Sequence, residues 1–221
     1  MNIDAVLFDM DGVVVDSMKF HADAWIRVLG EYGIRLEDID IFKREGMPGR
    51  ESIEDICLEK GIPVPGVRDL DLLHEKKHVL FEAFSISLYP GIVELLDCLD
   101  GRSIAAALVT GSLRRAVEHV LPDEVRSRFR AIITAEDVAH GKPDPDPYLK
   151  ALEKLSLTAE KSLVVENSPM GVRSACQAGI RCIALETTLP AKYLLGADMI
   201  FKNHDGLYDF IVNGIEIGRP C

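Results

Sequence analysis

Two aspartates, Asp9 and Asp11, close an apolar run in the stretch Ala5-Val6-Leu7-Phe8-Asp9-Met10-Asp11-Gly12-Val13-Val14-Val15-Asp16. Carboxylates two residues apart repel when both are ionised, so this pair at the exit of a buried strand implies a bound cation, a shared proton, or both. Further polar groups follow later apolar runs: Thr110-Gly111-Ser112, Gly141-Lys142-Pro143 and Glu166-Asn167-Ser168. Phosphoryl transfer needs a nucleophile, positive charge on the phosphoryl oxygens and a proton donor for the leaving oxygen, and these residues supply each. Asp9 can attack phosphorus to form an acyl-phosphate, and Asp11, on the same side of an extended chain, can act as acid and base. Magnesium takes oxygen ligands including one or two carboxylates, and Asp9, the carbonyl of Asp11, and Asn167 or Glu166 can provide the protein's share. Thr110, Gly111 and Ser112 offer donors at a strand-to-helix turn, and Lys142 offers a compact positive charge.

Each motif has a plainer reading. Asp-x-Asp-Gly is commonly a turn, Thr-Gly-Ser a helix start with Ser112 as N-cap, Gly-Lys-Pro a solvated loop, and Glu-Asn-Ser a strand exit with Ser168 capping the next helix. Order and placement raise the set above these readings, because all four fall at the same edge of one expected sheet.

That sheet is read from short apolar runs at Ala5–Phe8, Ile104–Val109, Ala131–Thr134, Leu163–Val165, Cys182–Leu185 and Met199–Phe201. Continuous rather than alternating hydrophobicity predicts strands covered on both faces, and the helical patterns between them predict crossovers building a parallel sheet. Ligands of such sheets bind beyond the carboxyl ends of the strands. Between Ser17 and Leu88 the apolar residues recur at helical spacing with no strand run, which predicts an inserted helical domain joined by short linkers near Asp16 and near Leu88-Tyr89-Pro90-Gly91. The expected architecture is α/β, a three-layer Rossmann-like open parallel sheet from 1–16 and 88–221 with an all-helical insert at 17–87.

With 221 residues, 48% hydrophobic and 28% charged, the chain can bury a full core. No apolar stretch approaches a bilayer span and the first residues are acidic where a signal peptide is basic, so the expected address is the cytoplasm, with no membrane partner. The five cysteines (Cys57, Cys98, Cys176, Cys182, Cys221) are scattered and read as free thiols. A net charge of −11 without a dense basic run argues against nucleic acid. A small anionic substrate needs local positive charge, which magnesium, Lys142 and helix N-termini can supply.

Asp9-Met10-Asp11-Gly12, Thr110-Gly111-Ser112, Lys142-Pro143 and Glu166-Asn167-Ser168-Pro169-Met170-Gly171-Val172 together resemble the four motifs of the haloacid dehalogenase superfamily, in the branch of small phosphatases and beta-phosphoglucomutase with a helical cap after the first strand. The resemblance covers essentially the whole chain. It implies Asp9 as nucleophile, Asp11 as general acid/base, Thr110 and Lys142 as phosphate binders, magnesium near Asp9, Asp11 and the fourth motif, and a cap that closes over the substrate. The stretch Gly46-Met47-Pro48-Gly49-Arg50-Glu51-Ser52 looks like the cap's substrate loop, with Arg50 the contact for an anionic or polyhydroxyl group. His21 and Trp25 also resemble beta-phosphoglucomutase, in which an early cap histidine contacts the acid/base aspartate. Against this, Trp25 reads as core packing, Asp16 and Ser17 as caps of the first helix, and Glu75-Lys76-Lys77-His78 as a solvated face. Where relatives commonly carry Glu-Asp this chain has Glu166-Asn167, which implies weaker magnesium binding or a shift of the ligand role to Glu166.

Within the superfamily, Asp11 argues against dehalogenases and phosphonoacetaldehyde hydrolases, which lack its equivalent. The leading expectation is a magnesium-dependent phosphatase acting on a small phosphorylated metabolite through an aspartyl-phosphate. A beta-phosphoglucomutase-like mutase is the runner-up, favoured by His21 and Trp25 and disfavoured by the position of Arg50 and by Arg114. A weakly active, phospho-ligand-binding regulatory relative is the third reading, as a monomer or small homo-oligomer like the others.

Overall fold

A computed structural model describes residues 3–214 of the chain; Cys221, expected to be a free thiol, lies outside the described residues. Six strands, β1 (Ala5–Phe8), β2 (Ala105–Val109), β3 (Ala131–Ile133), β4 (Ser162–Glu166), β5 (Arg181–Leu185) and β6 (Met199–Phe201), form one sheet in the order β3-β2-β1-β4-β5-β6. Every neighbouring pair is parallel. The apolar runs read from the sequence coincide with these strands to within a residue at either end. That agreement follows from burial on both faces, which leaves no polar alternation along a strand.

Four helices follow β1 directly: α1 (Met18–Gly30), α2 (Asp38–Phe42), α3 (Gly49–Lys60) and α4 (Val67–Glu82). The rest alternate with the strands: α5 (Ile92–Gly101), α6 (Arg114–Val120), α7 (Asp123–Arg126), α8 (Asp146–Leu155), α9 (Pro169–Gln177) and α10 (His204–Gly214). Alternation along β1 divides the core in two. Val6 and Phe8 pack with Leu95 and Leu99 of α5 and with Leu207 and Ile211 of α10. Ala5 and Leu7 pack on the opposite face with Tyr148 and Ala151 of α8 and Ala175 of α9. The result is a three-layer, Rossmann-like sandwich.

The helices between β1 and α5 bury a separate apolar cluster, in which Ala22, Trp25 and Leu29 of α1 meet Ile53 and Ile56 of α3 and Leu70 and Leu73 of α4. Trp25 packs there as expected. The two connections to the sheet run antiparallel, with Val15 paired to Leu88, Asp16 N–H donating to Ser87 O at 2.9 Å and Tyr89 N–H to Val14 O at 3.0 Å. The insert rests on the core. Arg115 of α6 pairs with Glu75 of α4 at 2.8 Å, and a Cβ on Gly46 would come within 2.8 Å of Lys142 Cδ. Among the described residues no helix is long and apolar enough to cross a membrane.

Candidate active site

Strand order reverses at β1 and β4, and the carboxyl ends of β1, β2 and β4 carry three of the four motifs to one edge of the sheet, where Lys142 joins them. Asp9 extends β1 by one residue, its N–H donating to Val165 O at 2.9 Å, and Thr110 extends β2 with its N–H on Ile133 O at 2.9 Å. The sheet itself therefore aims both side chains. Asp11 follows in a tight loop where Met10 O accepts from the N–H groups of Val14 and Val15 at 2.8 and 3.0 Å. Gly12 in that loop has φ of +84°, a conformation that strains any residue with a Cβ.

Lys142 is 1% exposed and its ammonium donates to Asp9 Oδ1 (2.5 Å), Glu166 Oε1 (2.6 Å) and Val109 O (3.1 Å). All three of its donors are used. Burial opposes its charge, but Asp9 and Glu166 outweigh burial and raise its pKa, so it stays an ammonium. Glu166 was expected with Asn167 as a metal ligand, and it spends both oxygens within the protein. Oε1 also accepts from the Tyr148 hydroxyl at 2.7 Å, and Oε2 accepts from the Asn167 N–H (3.0 Å) and from the N–H and hydroxyl of Ser168 (both 3.2 Å). Ser168 is the N-cap of α9, accepting from the Gly171 N–H at 3.0 Å.

Among the described residues, two buried acceptors have no hydrogen-bond partner, and both lie on this floor: Asp9 Oδ2 and Asn167 Oδ1. Such an atom costs about 1–3 kcal/mol unless something answers it. Burial also pushes the Asp9 carboxyl well above the usual carboxylate range, with Glu166 and Asp11 adding to the rise and Lys142 opposing it. A hard cation answers all three observations, and the donors present, a carboxylate, an amide oxygen and main-chain carbonyls, are the types magnesium takes. Among the described residues no group of three or more His, Cys, Asp or Glu side chains is placed to hold a metal.

Asp11 is surrounded from above and below. Its Oδ1 accepts from the Ser17 hydroxyl (2.6 Å) and His21 Nε2 (2.9 Å), and its Oδ2 from the hydroxyls of Ser112 (3.2 Å) and Thr110 (3.4 Å). His21, packed at a tilt against Phe81 with ring centroids 4.0 Å apart, meets Lys77 Nζ through Nδ1 at 2.8 Å. The Lys77 ammonium can only donate to Nδ1, so Nε2 carries the ring proton and directs it at Asp11. Burial raises the Asp11 carboxyl, but the electrostatic attraction and hydrogen bond of His21, the Ser17 hydroxyl and the charge of Lys77 outweigh it and bring it to about 2.

A cavity of about 280 Å³ opens between insert and core, lined by His21, Trp25, Glu45, Arg50, His74 and Ser112 among others. Arg50 is exposed and paired with Asp71 at 2.5 Å. Gly46 and Gly111 touch closely, since a Cβ on Gly111 would come within 2.9 Å of Gly46 O. The loop expected to face the substrate thus lies on the Thr110-Gly111-Ser112 turn.

A family model described as haloacid dehalogenase-like hydrolase matches residues 6–185. The chain belongs to the haloacid dehalogenase-like hydrolase family. It is 33% identical over 183 residues to a phosphorylated carbohydrates phosphatase of Thermotoga maritima, covering 82% of this chain and 84% of that protein. It is 28% identical over 210 residues to a beta-phosphoglucomutase of Bacillus subtilis, covering 92% and 91%. In fold it is similar to a hydrolase from Pseudomonas syringae, with a TM-score of 0.87 at 24% identity over 96% of this chain and 99% of that one.

For a member of this family, several side chains at the site carried no warning in the sequence, and some expectations need correcting. Ser17 sits at the start of α1 without a capping bond and gives its hydroxyl to Asp11 instead. Ser112 is not an N-cap: α6 begins at Arg114 after Leu113, and the Ser112 N–H donates to Thr110 Oγ1 at 3.0 Å. In the run expected to be solvated, Lys76 is exposed on Glu31, whereas Lys77 and His78 are buried. Helical spacing holds the missed signal, because Leu70, Leu73, Lys77 and Phe81 recur at intervals of three and four and share the buried face of α4. Tyr148 and Thr188 lie outside every motif and reach the site only through the fold.

Proposed function

We propose that this hydrolase is a magnesium-dependent phosphatase that cleaves the monoester of a small phosphorylated metabolite through an aspartyl-phosphate on Asp9. The observation that carries the reading is the state of Asp9, with one oxygen held by a charged lysine and the other buried without a partner. Asp9, Asn167 and the Asp11 carbonyl would hold magnesium, with Glu166 fixing Lys142. When bound, the ion supplies positive charge that keeps Asp9 ionised and offsets charge on the phosphoryl oxygens. Thr110 and Ser112 bind and orient the phosphoryl group, and the fixed charge of Lys142 beside Asp9 offsets the charge on its oxygens. An Asp9 oxygen forms a bond to phosphorus as the bond to the leaving oxygen breaks, and Asp11 gives that oxygen its proton. Asp11 is ionised before substrate arrives, so the negative phosphoryl group beside it must raise its pKa for this step. Water, losing a proton to Asp11, then attacks the acyl-phosphate and restores Asp9.

Cap closure by residues 17–87 would exclude bulk water from this centre. A phosphatase is favoured over a mutase by the charges facing the cavity. A mutase must accommodate a second phosphoryl group on the cap side, but Arg44 is taken by Asp55, Glu59 and the Asp40 carbonyl, Arg50 by Asp71, and Lys77 by His21. Glu45 adds a carboxylate to the cavity wall. The contact of His21 with Asp11 is the observation in favour of the mutase as a second reading.

The test is a panel of phosphorylated metabolites with magnesium, scored for phosphate release and, for glucose 1-phosphates, for isomerisation. Phosphate release that falls at least about a thousandfold in Asp9→Asn is the expected result. Isomerisation without release would make it a mutase, and binding without turnover would make it a regulatory relative.

A further inference from the structure

Thr188 lies in the loop after β5. Its Oγ1 accepts a 2.7 Å hydrogen bond from Asn167 Nδ2, while Oδ1, the other arm of that amide, is one of the two buried acceptors without a partner. Gly12 packs against both groups: a Cβ there would come within 1.9 Å of Asn167 Nδ2 and 2.9 Å of Thr188 Oγ1. The adjoining Thr187 donates its hydroxyl to the Gly12 carbonyl at 2.6 Å, which fastens this loop to the turn that carries Asp9 and Asp11.

An amide and a carboxylate differ at a cation in one decisive way. A carboxylate presents oxygen whichever way it turns, whereas an amide turned by half a revolution presents an NH2 group, whose protons repel a cation and occupy a ligand's place. An asparagine ligand therefore needs something to hold its nitrogen away from the metal. We propose that Thr188 is the positioning residue that does this, engaging Nδ2 so that Oδ1 faces the magnesium ion, with the bare α-carbon of Gly12 leaving room for the amide. The inference rests on the magnesium reading above and adds a requirement peculiar to Asn167. Partners one shell out from a ligand characteristically set metal affinity by about 10–100-fold.

Magnesium binding by the full chain, measured calorimetrically with MgCl2 and no substrate, tests this in a cycle of variants. Thr188→Val should weaken binding about tenfold, while Thr188→Ser, which keeps the hydroxyl, stays within about twofold of the parent. In an Asn167→Asp background, which should itself bind magnesium more tightly, Thr188→Val should change affinity less than about twofold, because a carboxylate needs no orienting. Equal weakening in both backgrounds would overturn the proposal and make Thr188 a packing residue of the loop, as would no weakening in either. Thermal melting of the same proteins without magnesium identifies any loss due to folding, and Thr188→Ser separates the hydroxyl from bulk. If the parent chain itself binds no magnesium, the metal reading fails first, and the cycle shows that separately.

Discussion

Lys142 in the core and Lys77 in the helical insert are both buried, 1% and 6% exposed, and each serves one aspartate of the Asp9–Asp11 pair, yet they are held in opposite ways. Lys142 meets two carboxylates and a carbonyl within 3.1 Å, and its pKa rises despite burial. Lys77 meets a neutral ring nitrogen at 2.8 Å, lies over the Phe81 ring at 4.8 Å, and is lowered by burial with only partial opposition from Glu45 and Asp11. The core lysine is a fixed charge that makes Asp9 and Glu166 compatible. The insert's lysine spends folding energy on a proton-bearing chain through His21 to Asp11. A floor built for permanent charge and a lid built for proton placement are different kinds of construction, and removing each lysine should expose that difference.

Lys142→Met is expected to have the largest effect. It leaves Asp9 and Glu166 facing each other without their counter-charge, and breaking a buried pair from one side costs about 3–5 kcal/mol. Urea unfolding should show that loss, and phosphate release should fall by about 10²–10³-fold with the loss of the charge opposite the phosphoryl oxygens. A variant as stable as the parent would mean that Asp9 and Glu166 need no counter-charge, and the contrast with Lys77 would collapse.

Lys77→Met should behave in the reverse manner. Methionine matches the stem and removes a desolvated amine, so stability should stay within about 1 kcal/mol of the parent even though contacts with Phe81 and Trp25 are weakened. Activity should still fall, by about tenfold in kcat with a smaller change in KM, because His21 loses the donor that fixes its tautomer. A matching loss of stability and activity would show that Lys77 is structural after all.

The contrast also explains what was legible before the structure. Strands and motifs could be read because a strand buried on both faces leaves a continuous apolar run, and because catalytic residues of a parallel sheet collect where those runs end. Lys77 reads as solvated because its neighbours Glu75 and Lys76 are charged and exposed, while the spacing that buries it extends to Leu70, Leu73 and Phe81. Ser17 occupies a capping position, and only the approach of Asp11 across the loop gives its hydroxyl another partner. Tyr148 and Thr188 come from segments whose place beside Glu166 and Asn167 depends on strand order, a long-range property that no local pattern encodes. The pairing of Glu166 with Lys142 is hidden for the same reason: each motif by itself reads as the holder of a ligand, and neither shows that they bind one another.

The smallest effect concerns acid, and it separates the two regions once more. His78, beside Lys77 on α4, is held to about 3 by burial first and then by electrostatic repulsion from Lys77, His74, Arg115 and His21, against an ordinary value of 6.5. Its ring contacts His74 Nε2 at 3.2 Å. The unfolded chain takes up a proton on this residue as pH falls through 6.5, whereas the folded insert refuses it until about 3, so stability is complete above 6.5 and declines as pH falls between those values. Lys142 stays charged across that window and contributes no such slope. Urea midpoints measured at pH 7.5 and 5.5 should therefore drop in acid for the parent chain and drop less for His78→Gln. Limited proteolysis at the lower pH should cut first within residues 17–87, since the group that refuses the proton belongs to the insert's own helix. An equal acid response in parent and variant would place the sensitivity in His74 or His204, which burial also lowers.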